Sequence, residues 1–159
     1  MSEQGSRLGS ASELATSFRA GLDEIRNALA AVPENRAGEP SRAGGWTRKQ
    51  IVGHMLDSAA NNRQRFVRAA IDGSYSGPGY AQEEWVDAHG YAEQEWETLK
   101  HWWEVEHEIL TAVVDRITDD QLVAQCIVGD HAPATLRFLI EDYLRHQRVH
   151  AGQLKSATA

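Results

Sequence analysis

The chain has 159 residues, of which 42% are hydrophobic and 25% charged, with a formal net charge of −7. That length suits one domain with a real core, and the acidic balance sets aside non-specific binding to nucleic acid or anionic membrane. No apolar run approaches the roughly 20 residues needed to span a bilayer, and the one cysteine, Cys126, excludes an internal disulfide and fits a reducing cytoplasm.

The opening "MSEQGSRLGSASE" is polar and lacks the charged-then-apolar order of a signal peptide. Residues 1–9 read as a flexible tail and 10–156 as the domain. A first helix is expected from about Ser12 to Val32, with Leu14, Phe18, Leu22, Ile25 and Leu29 on one face. It stops before "PENRAGEPSRAGG", a Pro- and Gly-rich loop. A second starts at Thr47, where "TRKQ" has the form of a capping box, and runs to about Asp72. The connection "GSYSGPGYAQEEWVDAHGY" has room for one short helical turn. A third helix runs from about Ala92 to Arg116, with Trp96, Leu99, Trp103, Leu110 and Val114 inward. After "ITDDQLVAQCIVGDHAPAT", with short extended pieces around "AQCIV", Thr135 caps a fourth helix reaching about Lys155.

Four helices of this length imply an all-α four-helix bundle. The long second connection is enough to cross the bundle and join parallel neighbours, so the topology departs from simple up-down.

The fourth helix places Leu136, Leu139, Tyr143 and Leu154 on one stripe, with His146 and His150 in its middle. A lone core histidine usually hydrogen-bonds to a neighbour. Two at i and i+4 on a buried face can meet at one metal ion, although H-x-x-x-H is a short pattern. His54 sits on the inward stripe early in the second helix and can face that pair if the two helices are antiparallel. Three neutral imidazoles suit a divalent transition metal such as Zn, Ni or Fe and leave a position open for water or substrate.

"GWTRKQIVGHMLDSAANN" and "LIEDYLRHQRVHAGQL" resemble the DinB/YfiT-like superfamily of metal-binding four-helix bundles. The resemblance covers residues 12 to 155. It implies His54, His146 and His150 as ligands, an up-down-down-up bundle with a long crossover between helices 2 and 3, and often a homodimer. It also implies thiol-dependent chemistry: superfamily members include transferases using bacillithiol or mycothiol and a thiol-dependent isomerase. Many members have no established activity.

Other positions are expected around the site. His107 lies on the inward stripe of the third helix and could be a fourth ligand, a base behind the ligands, or a core histidine. Asp57, Asn61 and Asp142 flank the ligand stripes; Asp57 or Asp142 could accept the second N–H of a ligand or equally be a solvated polar position. Tyr143, one turn before His146, could line the open position or simply pack. His101 points away from the Trp stripe, and His89 and His131 read as surface loop residues. Glu104 and His107 form the chain's one E-x-x-H pair, which excludes a di-iron bundle. Cys126 reads as a small apolar filler.

Two functions follow. One is an enzyme in which the metal lowers the pKa of a low-molecular-weight thiol or water for transfer to a small electrophile, or for hydrolysis. The other is a non-catalytic metal-binding or stress-response protein stabilised by its ion. Five tryptophans suggest surplus apolar surface and a homodimer. No nucleic-acid or membrane partner is expected.

Overall fold

The computed structural model describes residues 9–155. Residues 1–8 of the expected tail and the domain's last residue, 156, lie outside them.

Helix α1 (Ala11–Ala30) begins at a capping box, in which the Ser10 side chain accepts from the Glu13 backbone and Glu13 returns the bond. Helix α2 (Arg48–Asp72) begins the same way with Thr47 and Gln50. It ends at Gly73, whose φ of 76° suits a residue without Cβ. Strand β1 (Ser74–Gly77) and helix α3 (Gln82–His89) fill the long connection. Helix α4 (Trp96–Arg116) follows a single 3-10 turn at Tyr91–Glu93. Strands β2 (Gln125–Val128) and β3 (Ala134–Thr135) lead into α5 (Leu136–Leu154), capped by Thr135.

The expectation of a purely helical chain is corrected by the strands. β1 pairs in parallel with β2, from Ser74 opposite Gln125 to Gly77 opposite Val128, and β2 pairs antiparallel with β3. The cause is positional. Helices α2 and α4 end side by side, where Gln121 Nε2 donates to Ala70 O at 3.1 Å. The extended segments leaving them are therefore neighbours, and their backbone groups pair.

Four long helices make the bundle, and their contacts give their directions. Arg48, at the start of α2, donates to Leu154 O at the end of α5, so these two run antiparallel. Arg26 meets Glu104 at 2.8 Å and Arg19 pairs with Asp115, so α1 and α4 also oppose. Phe18 packs on Tyr143 and Glu24 pairs with Arg148, so α1 and α5 run together. Arg63 pairs with Glu106 at 2.7 Å, so α2 and α4 run together.

The core is continuous. Phe18, Leu22 and Ile25 of α1 meet Met55, Leu56 and Phe66 of α2, Leu99, Trp103 and Leu110 of α4, and Leu136 and Ile140 of α5. Full burial of such a side chain is worth about 1.5–3 kcal/mol. Trp96 and Trp103 belong to this core. They are not surplus surface, whereas Trp102 on the same helix is 41% exposed.

Gly53 shows how tightly α3's flank is seated. A Cβ there would lie 2.0 Å from the Tyr91 ring. Alanine normally favours a helix over glycine by about 1 kcal/mol. Here overpacking outweighs propensity, and Gly53→Ala is expected to destabilise by roughly 1–3 kcal/mol in denaturant unfolding. A variant as stable as wild type would show that Tyr91 is not held against α2.

Candidate metal centre

His54 enters the site from the second turn of α2, buried to 1% exposure. His146 and His150 enter from the last two turns of α5, both half-buried. The antiparallel seating of the two helices brings the three together. The ring centroids lie 5.4 Å apart for His54 and His146, 4.5 Å for His54 and His150, and 4.4 Å for His146 and His150. One ligand atom from each falls within 4.8 Å of the others, which is a group that could hold a metal ion.

Electrostatics keep the cluster neutral. Burial, then the nearby His150 and His146 rings, pushes the His54 imidazole down to about 4. Burial also lowers His146, aided by His150 and opposed by Asp142. His150 is lowered by burial and partly restored by its hydrogen bond to Gln153. At neutral pH all three offer lone pairs.

The donors fit a divalent transition ion. His150 Nε2 and His146 Nε2 stand 3.1 Å apart, and His54 Nδ1 is buried without a hydrogen-bond partner. Gln153 Oε1, 2.9 Å from His150 Nδ1, accepts the proton on that nitrogen. That leaves the His150 lone pair on Nε2, facing His146. Gln153 was not singled out from the sequence, although its place three residues after His150 puts it on the same helix face.

The remaining expected residues divide. Asp57 is buried but turned to α3: its Oδ1 accepts from Tyr91 OH at 2.6 Å and lies 3.3 Å from His89 Nδ1. The prospect that Asp57 orients a ligand imidazole is corrected by these partners, because none of its hydrogen bonds is to His54. Burial raises the Asp57 carboxyl, against the Tyr91 hydrogen bond and His89, and leaves Oδ2 without a partner. His89 is exposed as expected but is not in a loop: it ends α3, stacks on Tyr91 at 4.9 Å, and bonds to Trp85 O. Asn61 donates to Asp57 O one turn back on its own helix. Asp142 pairs with Arg145, not with an imidazole.

His107 is fully buried and its side chain is committed elsewhere. Nδ1 is 2.7 Å from Trp103 O and Nε2 is 2.5 Å from Tyr143 OH. The carbonyl accepts the Nδ1 proton, so Nε2 accepts from the tyrosine. His107 is thus a hydrogen-bonded core histidine outside the three-histidine group. His101 is exposed, as expected.

Two clefts flank the cluster. One, of about 690 Å³, is lined by Trp46, Ile51, Glu83, His150 and Gln153. The other, of about 590 Å³, runs from His146 past Asp142, Tyr143, Ser58 and Tyr80 to Arg65 and Cys126. No helix among the described residues is long and apolar enough to cross a membrane.

Two outcomes are expected. Gln153→Leu should weaken transition-metal binding by about 10–100-fold, the usual cost of losing a partner behind a ligand; unchanged affinity in competition with a chelating dye would remove this role. His107, held down to about 4 chiefly by burial, gives the second. Below about 6.5 the unfolded chain takes a proton that the folded chain refuses, so metal-free protein loses stability between pH 6.5 and about 4. Each such histidine contributes up to about 1.4 kcal/mol per pH unit across that window, and His107→Gln should make the slope shallower in guanidinium unfolding at pH 7.5, 6 and 5. An equal slope in variant and wild type would mean that His107 takes up its proton in the folded state.

Known proteins resemble this chain in part of its sequence and in its fold. A "Putative metal-dependent hydrolase" of Bacillus cereus (strain 03BB102) is 31% identical over 65 residues, 41% of this chain and 38% of that protein. The match thus spans little more than a third of the length of that relative. YfiT from Bacillus subtilis, with "an unusual four-helix bundle topology", superposes with a TM-score of 0.79 at 19% identity, over 97% of this chain and 86% of that one. A mycothiol-dependent maleylpyruvate isomerase superposes with a TM-score of 0.77 at 17% identity, over 94% of this chain but 62% of that one. The colibactin self-resistance protein ClbS, crystallised with a double-stranded DNA, superposes with a TM-score of 0.71 at 14% identity, covering 94% and 95%. At these identities the likeness is one of fold. The last of them corrects the exclusion of nucleic acid drawn from net charge: this fold is compatible with a DNA partner. The sequence model of the DinB superfamily matches residues 17–154, and the chain belongs to that superfamily.

Proposed function

We propose that the protein is a metal-dependent enzyme of small molecules. It joins a low-molecular-weight thiol to an electrophile, or hydrolyses its substrate, at His54, His146 and His150 within a bundle of residues 10–156. The observation that carries this reading is the cleft that reaches the cluster through His146. A purely structural ion site is closed by its ligands, whereas a catalytic one keeps a side open. A relative named as a metal-dependent hydrolase and a mycothiol-dependent isomerase of the same fold support it.

A bound Zn, Ni or Fe(II) ion supplies Lewis acidity, which brings the pKa of a thiol or water toward neutrality. The chain's own residues bind and orient. Gln153 holds the His150 tautomer, and Trp46 packs on His54 at 5.0 Å. Leu139, Phe138 and Val128 give the cleft an apolar side that excludes water from a bound substrate.

A second reading is a metal-binding protein without turnover. It rests on the acids and bases near the cluster. Asp57 is engaged with Tyr91, Asp142 with Arg145, and His107 with Tyr143.

Metal that binds only the folded chain adds stability, roughly 2.7 kcal/mol at a hundredfold excess over its dissociation constant. Melting temperature at mildly alkaline pH should therefore rise with Zn, Ni or Fe(II) relative to chelator. His54→Ala and His150→Ala should abolish most of that rise, while His107→Ala should lower both values and keep the difference. Equal melting temperatures for wild type with metal and with chelator would sink the site. Metal-dependent consumption of a thiol with an electrophile, measured across a panel of each, separates the enzyme from the second reading.

A further inference from the structure

The far end of the cleft that starts at His146 holds a cation without a counter-charge. Arg65, on α2, is 7% exposed and lines this cleft. Its guanidinium donates to Pro78 O at 3.2 Å and, at 3.5 Å, to Asn62 Oδ1. Among the described residues it forms no ion pair. Two positions earlier Arg63 pairs with Glu106 at 2.7 Å, and Arg137 and Arg145 on α5 pair with Glu141 and Asp142. The one carboxylate lining this cleft, Asp142, is thus already held by Arg145.

A buried cation with only neutral acceptors is poorly compensated, and two of its five N–H groups account for the bonds above. A guanidinium presents those donors as a planar fork that matches a carboxylate. The surroundings repeat the theme. Ser58, Asn62 and Arg65 form a polar wall along α2, and Phe138, Leu139 and Tyr143 form a mostly apolar wall along α5. From Ser58, near the histidines, to Arg65 the helix rises about 10 Å, which is the length of a small organic molecule.

We propose that Arg65 recognises a carboxylate on the small-molecule substrate, whose reacting end lies at His54, His146 and His150. This rests on the metal-and-thiol reading above and adds the chemical class of ligand. Arg65 stands clear of the three histidines, so it binds and positions without reaching the reacting atoms.

The test uses the full chain loaded with Zn and two probes of equal length, 6-mercaptohexanoate and 6-mercaptohexanol, in calorimetric titrations. Wild type should bind the carboxylate about tenfold tighter or better, a difference of about 1.4 kcal/mol. Arg65→Gln should bring the ratio close to one while leaving the alcohol's affinity unchanged, and Arg65→Lys should retain part of the preference. A role limited to holding the Pro78 loop would weaken both probes alike. A preference unaltered in Arg65→Gln overturns the proposal. Should that variant not fold, a ratio of one in wild type overturns it. Hexanoate, which has no thiol, keeps the two readings apart. Arg65-dependent hexanoate binding with no metal-dependent binding of either thiol supports the anion site and removes the thiol. Metal-dependent binding of both thiols with equal affinity leaves the thiol reading and removes the anion site. Hexanoate bound together with saturating 6-mercaptohexanol places the carboxylate on the electrophile, and mutual exclusion places it on the thiol; either supports the anion site.

Discussion

The two helices that carry the three-histidine group are held in register by one buried carboxamide. Gln147 of α5 has no exposed surface, donates from Nε2 to Met55 O of α2 at 3.0 Å, and accepts from Trp103 Nε1 of α4 at 3.3 Å. A single side chain therefore ties three helices. Apolar packing tolerates small slips along a helix, whereas a buried polar group with two specific partners does not, because each slip leaves unsatisfied atoms behind. Met55 follows His54 and Gln147 follows His146. The hydrogen bond that fixes the helices thus also fixes the imidazoles opposite one another. Arg48, bonded to Leu154 O, pins the same pair of helices one turn beyond the cluster, where a cation also suits the carbonyl end of α5.

That registry explains why the histidines are poor bases and stay neutral with their lone pairs free. Burial lowers all three, His54 most clearly, because its ring is enclosed by Trp46 and by the other two imidazoles. A surface histidine pair at the same spacing would titrate near its ordinary value and lose its lone pairs in mild acid. The scaffold gives up solvation of these nitrogens, and the unpartnered His54 Nδ1 is the visible remainder of that cost.

Much of this was legible in the residues themselves. One capping box and a threonine cap marked the starts of α2 and α5, since side-chain caps are local and leave a local pattern; the Ser10–Glu13 box of α1 was missed, although the first helix was placed within a residue or two by its apolar stripe. The inward stripes placed His54, His146 and His150 on facing surfaces for the same reason. What escaped was non-local. The extended piece around "AQCIV" was legible and is β2, but β1, β3 and their pairing were not, because Ser74 meets Gln125 only where two helices end together. His89 read as a loop residue because α3 has only eight residues. Gln147 and Gln153 were invisible because glutamine has no spacing rule, and its role depends on which atoms happen to face it. The partner of Asp57 was left open, since helix periodicity gives a side and not a partner, and it is Tyr91, 34 residues away, that bonds to it.

The two walls of the cleft differ, and the difference follows from the packing of their helices. α2 is central, packed against α3, α4 and α5, so even its polar residues Ser58, Asn61 and Arg65 are buried. On α5 the charged residues Glu141, Arg145 and Arg148 face solvent, and Leu139 and Phe138 are left to face or border the cleft. The α2 wall is polar, whereas the α5 wall mixes Phe138, Leu139 and Tyr143 with Asp142 and His146, so the groove offers a hydrogen-bonding edge opposite a partly hydrocarbon one. His146 stands at one end of that groove, and Arg65 on its polar side. Under the proposed function, the shape and charge of the groove select the ligand and the three imidazoles hold the reactive ion.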